Sequence, residues 1–341
     1  MKRTRVRLAN LVSSPLTRVR RRIGGFAIRG GLEGLAHAMK LHPRARAFLA
    51  EMDITPNVPY TEAGDAAHTL DVYRHQDAHG VRPALLYIHG GGFRICSKDT
   101  HWALAGRFAR AGYVVFNINY RLAPRHPFPA AIEDACAAVQ FVARRAAEFG
   151  ADASRLVVAG ESAGANLAVS LALCGTYRRP EPFARAVFDA GIQPRAVAAA
   201  CGLYQVTDPA RFMRRRALPS WLYDRILETC VGYVPTAMEA LGVGDDHLSL
   251  ADPVCFVERA PAPERPLPAF FLPVGTRDPI LDDTRRLRDA LLRQGGHVDA
   301  RFYVGGIHAF HAFPWDPRTA SVWRDQLEFL GKVIGTDATR A

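Results

Sequence analysis

The chain has almost no acid where it has most base. Residues 1–50 hold twelve Lys and Arg against a single acid, Glu33, and so carry the whole chain's net charge of +11. The remainder balances at 32 basic and 32 acidic residues, which argues against a nucleic-acid-binding body. The six cysteines (Cys96, Cys136, Cys174, Cys201, Cys230, Cys255) form no Cys-x-x-Cys pair and have no histidine at metal-ligand spacing. No zinc site or disulfide framework is expected, so the six read as small buried hydrophobes in a reducing, cytoplasmic setting. No run of eighteen apolar residues exists, so no segment should span a bilayer. Internal repeats and low-complexity tracts are also missing. No metal or cofactor is expected.

What is present has the composition of an ordinary globular protein, 49% hydrophobic and 23% charged over 341 residues. That length suits one large α/β domain with a cap. Short apolar runs alternate with helical patterns: strands at 84–88, 113–118, 155–159, 196–203, 269–274 and 300–304, helices near 101–111, 130–149, 165–173, 282–293 and 320–334. This alternation implies a mostly parallel central sheet with helices on both faces. Residues 56–341 make the catalytic body, with a cap insertion near 204–257. Residues 1–55 make a basic N-terminal arm and cap segment. In the arm Leu8, Val12, Leu16, Val19, Ile23 and Phe26 recur every three or four residues, a helical face interrupted by Pro15. A cap element over the site is the leading reading of that face. Peripheral contact with anionic lipid and a targeting segment are the alternatives.

The chemistry concentrates in four places. Gly160-Glu161-Ser162-Ala163-Gly164 follows a buried strand and opens an Ala- and Leu-rich helix, the context of a nucleophile elbow. His89-Gly90-Gly91-Gly92-Phe93 ends another buried strand, and its glycines let peptide N–H groups approach a ligand, as an oxyanion hole requires. Asp278 and His308 fall just after the last two strands. The order Ser, Asp, His is that of α/β-hydrolases. It assigns Ser162 as nucleophile, His308 as its base and Asp278 as the group orienting the imidazole. The oxyanion donors are then the N–H groups of Gly91, Gly92 and Ala163. His311, Asp282 and Asp283 are the rival base and acids. Phe93, Tyr120 and Trp221 are candidate substrate contacts, the last on a stretch whose aromatics read more readily as helix packing.

His89-Gly90-Gly91-Gly92, Tyr120-Arg121-Leu122-Ala123-Pro124, Gly160-Glu161-Ser162-Ala163-Gly164, Asp278-Pro279 and His308-x-Phe310 together resemble the hormone-sensitive-lipase-like esterases, over roughly residues 70 to 335. The resemblance implies the same triad and oxyanion donors and a cap built from the N-terminal segment and an insertion. It also implies hydrolysis of short- to medium-chain acyl esters through an acyl-enzyme. An amide or arylacetamide deacetylase would share the triad. A non-catalytic relative would lack the histidine, as the plant gibberellin receptors do, and His308 is present. The chain departs from the family at Glu161 (often Asp), Ala165 and Ala309 (often Gly), Asn119 (often acidic) and Arg125 (often Glu).

Overall fold

The computed structural model describes residues 30–335 apart from 32, 33, 35, 37, 63, 216, 217 and 236–247. The Leu8–Phe26 face of the arm lies outside the described residues, as does the middle of the 204–257 insertion.

Eight strands form one sheet in the order β1-β2-β4-β3-β5-β6-β7-β8. They are β1 (Met52–Pro59), β2 (Thr69–His75), β3 (Arg82–Ile88), β4 (Val114–Ile118), β5 (Ala151–Glu161), β6 (Ala196–Ala200), β7 (Ala269–Gly275) and β8 (Val298–Tyr303). Strand β2 runs antiparallel to β1 and β4, and the other neighbours are parallel. The helices are α1 (Pro43–Leu49), α2 (Trp102–Arg110), α3 (Ala130–Arg145), α4 (Ala163–Thr176), α5 (Pro182–Asp189), α6 (Arg211–Arg215), α7 (Ser220–Tyr233), α8 (Pro253–Arg259), α9 (Leu281–Arg293) and α10 (Thr319–Ile334).

Covering both faces explains why the central strands read as unbroken apolar runs. In β3, Leu86 joins the core under α3, α4 and α9, with Ile132, Leu171 and Leu287. Its neighbour Leu85 points the other way, into the core under α2 and α10, with Phe108 and Leu330. Helix α4 is buried along its whole length, so its sequence has no polar face to reveal its period.

Strand β1 begins inside the segment expected as arm, where Met52 is buried and pairs with His75. Pro56 and Pro59 disguise this strand, yet β1 is at the sheet edge, where a missing N–H is tolerated, and its register shifts between Thr55 and Val58. Helix α8, within the expected insertion, buries Val254 and Val257 in the core that holds Leu287 of α9.

Candidate active site

Turns at the carboxyl ends of parallel strands meet around Ser162, where such sheets place their ligands. Ser162 lies between β5 and α4 with φ 56 and ψ −115. For a residue with a Cβ this conformation costs on the order of 1–3 kcal/mol. The flanking glycines do not carry that strain. They allow close approach instead: a Cβ on Gly164 would lie 2.0 Å from the Ile88 carbonyl oxygen, and one on Gly160 2.6 Å from that of Gly164. The elbow is thus pressed against the end of β3, with the Ser162 N–H donating to the Ala200 carbonyl at 2.9 Å.

His308 joins the two partners that the chain order assigned to it. Its Nε2 is 3.0 Å from Ser162 Oγ, and its Nδ1 is 2.9 Å from Asp278 Oδ2. Asp278 is buried, and its Oδ1 accepts from the Ile280 N–H at 2.9 Å, which fixes the carboxylate plane. Burial pulls the His308 pKa down, but the charge and hydrogen bond of Asp278, with Glu161 behind them, outweigh it. The net shift is upward from 6.5.

The rivals are committed elsewhere. His311 is pushed down to about 4, chiefly by burial. Asp283 accepts from the Tyr204 and Gln205 N–H groups and pairs with Arg211 at 2.6 Å. Asp282 faces Arg285 at 3.3 Å.

The glycine loop is held open by its neighbours. Gly91 and Gly92 adopt φ 99 and φ 61. A Cβ on Gly91 would lie 2.2 Å from the Ile95 carbonyl oxygen, and one on Gly92 2.8 Å from Thr229 Oγ1 of α7. Among the described residues, the Gly91 and Gly92 N–H groups have no acceptor. Ala163 is the first residue of α4, where an N–H has no partner within the helix. Three donors are therefore available beside the elbow.

The three candidate substrate contacts fare differently. Phe93 is buried and stacks on Tyr233 of α7 at 3.7 Å, and its carbonyl accepts from the Ala123 N–H. Tyr120 is buried against His89, with ring centroids 4.3 Å apart, and donates to the His89 carbonyl at 2.9 Å. Both side chains brace the glycine loop, and neither is open to solvent. Trp221 sits on α7 with 66% of its surface exposed. Chain position alone suggested substrate contact for Phe93 and Tyr120, since it brings them to the site without telling which way a ring turns.

One group of metal-capable donors occurs among the described residues: Cys201, Asp278 and His308, within 4.8 Å of one another. The Asp278–His308 hydrogen bond occupies the atoms a metal would need. The six cysteines are free thiols, five of them buried. No helix among the described residues is long and apolar enough to cross a membrane.

Sequence reasoning missed what lies behind the elbow. Glu161 is almost fully buried, and its carboxylate accepts from Tyr87 Oη, from the Gly90 N–H at 2.5 Å and from His101 Nε2 at 2.6 Å. Burial raises its pKa, but His101 and Tyr87 overcome that and hold it down at about 2. An acid ending an apolar strand is itself a signal that a cation waits nearby.

Comparison with known proteins agrees with this fold. A family model for the alpha/beta hydrolase fold matches residues 85–312. Esterase LipI of Mycobacterium tuberculosis is 48% identical over 91 residues, 26% of this chain and only 28% of that protein. An acetyl-hydrolase of Streptomyces hygroscopicus is 33% identical over 270 residues, 77% of this chain and 80% of that protein. Among solved structures, esterase LipW from Mycobacterium marinum matches with a TM-score of 0.70 at 24% identity, covering 91% of this chain and 90% of the other. At that identity the likeness is one of fold.

Proposed function

The chain belongs to the alpha/beta hydrolase family, in its hormone-sensitive-lipase-like branch, and on that premise we propose a serine carboxylic ester hydrolase. The observation that carries the reading is the unbroken relay Asp278–His308–Ser162, at 2.9 and 3.0 Å. Neutral His308 accepts the Ser162 proton as Oγ attacks the ester carbonyl. Asp278 holds the imidazole tautomer and stabilises the imidazolium. The Gly91, Gly92 and Ala163 N–H groups receive the developing oxyanion, and His308 returns its proton to the leaving alkoxide. Water then attacks the acyl-enzyme, with His308 again as base. Within short- to medium-chain acyl groups, the acetyl-hydrolase name among the relatives supports the short end.

The test is hydrolysis of p-nitrophenyl esters from acetate to palmitate by wild type and Ser162→Ala. Hydrolysis of the shorter esters, falling by about 10⁴-fold or more in the variant, is expected. Equal activity in the variant, or none in wild type, would overturn the assignment.

A further inference from the structure

Behind the oxyanion loop lies a buried ion pair that the triad mechanism does not use. Glu161 closes β5 immediately before Ser162, and His101 stands at the N-terminus of α2. The Glu161 carboxylate is faced by Tyr87 from β3, by the Gly90 N–H from the loop and by His101. His311 and His308 also act on it or are acted on by it electrostatically. His101 in turn has acceptors on both ring nitrogens: Glu161 Oε1 at Nε2, and Thr100 Oγ1 at 2.7 Å and the Ser97 carbonyl at 3.3 Å at Nδ1. A doubly protonated imidazolium satisfies that arrangement, and the His89 and Tyr87 rings flank it at 5.5 and 6.3 Å.

The consequence falls on two peptide units. In the unit joining His89 to Gly90, the carbonyl accepts from Tyr120 Oη at 2.9 Å and the N–H donates to Glu161 at 2.5 Å. Both ends are tied, so the plane of that unit is fixed. In the next unit, the Gly90 carbonyl faces His89 Nδ1 at 2.7 Å. A trans peptide points its N–H opposite its carbonyl, so this contact aims the Gly91 N–H away from His89. Glu161 also packs against Gly90 itself, where a Cβ would lie 2.8 Å from both its carbonyl oxygen and Oε1. A buried, ionised carboxylate is costly unless paired, and apolar packing could fill the same volume at lower cost. What a carboxylate adds here is a fixed acceptor for the loop.

We propose that Glu161, with His101 as its counter-ion, is the positioning residue of the oxyanion loop, fixing the His89–Gly90 peptide plane that leads into the unit presenting the Gly91 N–H. The inference rests on the serine-hydrolase reading above. The pair touches no reacting atom; it acts through the backbone it holds.

The experiment measures kcat, KM and the pH dependence of kcat/KM on p-nitrophenyl butyrate for wild type, Glu161→Gln, His101→Asn, Tyr87→Phe and Ser162→Ala. Losing an oxyanion donor outright costs about 10²–10³ in rate, so loosening the loop in Glu161→Gln should lower kcat by about 10- to 100-fold. KM should stay within about threefold, because the interaction lost is made in the transition state. Glu161 raises the His308 pKa, so removing its charge should move the acid-limb midpoint down, whereas His101→Asn leaves that charge uncompensated and should move it up. Tyr87→Phe removes one hydrogen bond and leaves the ion pair, so it should fold normally and lose about three- to tenfold in kcat. If Ser162→Ala is dead while Glu161→Gln and Tyr87→Phe match wild type in kcat and midpoint, the inference is wrong and the hydrolase reading stands. If Ser162→Ala keeps its activity, the hydrolase reading itself fails.

Discussion

The two sides of Ser162 are built from different materials. On the acid–base side, two side chains on separate turns reach across hydrogen-bond distances, Asp278 to His308 and His308 to Ser162. On the proposed oxyanion side the assigned donors are backbone N–H groups, and side chains hold the loop that carries two of them: Glu161 and Tyr120 bond the His89–Gly90 peptide, Thr229 lies against Gly92, and Phe93 stacks on Tyr233. The first side depends on which residues are present. The second depends on what surrounds peptide N–H groups, two of them on glycines.

That contrast can be broken from the oxyanion side by adding a single carbon. Gly91→Ala places a methyl 2.2 Å from the Ile95 carbonyl oxygen at a φ of 99, so the loop must move. Loss of a donor predicts a fall in kcat of about 10²-fold or more, with the Ser162–His308–Asp278 relay intact. Steady-state kinetics, with circular dichroism to confirm folding, checks this; unchanged kcat would show that the loop is not the oxyanion site. A much smaller effect is expected beside the base. Ala309 follows His308 with φ 55 and ψ 25, a left-handed conformation that costs a residue with a Cβ about 1–2 kcal/mol. Ala309→Gly should relieve part of that and raise the melting temperature by about 1–3 °C, the gain being trimmed by glycine's greater freedom when unfolded. A lower melting temperature would show that the methyl group's packing outweighs the strain.

The same contrast explains what was legible in the sequence. Ser162, Asp278 and His308 could be placed because apolar runs marked the strand ends and chain order did the rest. The sheet was legible for the same reason: strands covered on both faces cannot hide their composition. Strand β1 was not, because an edge strand tolerates Pro56 and Pro59, the two residues that argue most strongly against a strand. Helix α8 is not legible either, because seven residues, Pro253–Arg259, are too short to show a period. The oxyanion support was the least legible part. Glu161 is adjacent to Ser162 in the chain and its place at the end of an apolar strand calls for a cation, but His101 is sixty residues upstream and neither local pattern identifies it as the partner. Phe93 and Tyr120 fell into the same gap: their positions near the loop were readable, and the direction of their rings was not.

Ala309 belongs to both halves of this lesson. As a departure from the glycine usual in the family it was visible in the sequence, but its cost became visible only with the backbone angle. The glycines of the elbow run the other way. At Gly160 and Gly164 a Cβ would clash with backbone, so the glycines make room at the end of β3 while Ser162 takes the unusual angle.

The most direct test of the central claim, that His308 held by Asp278 is the base for Ser162, is the pH dependence of kcat/KM for a p-nitrophenyl ester. Protonated His308 cannot accept the Ser162 proton, so the rate must rise as pH passes its pKa. The Asp278 charge and hydrogen bond place that pKa above 6.5 despite burial. A single-proton acid limb with its midpoint above pH 6.5 is expected. A rate flat from pH 5 to 8 would contradict it.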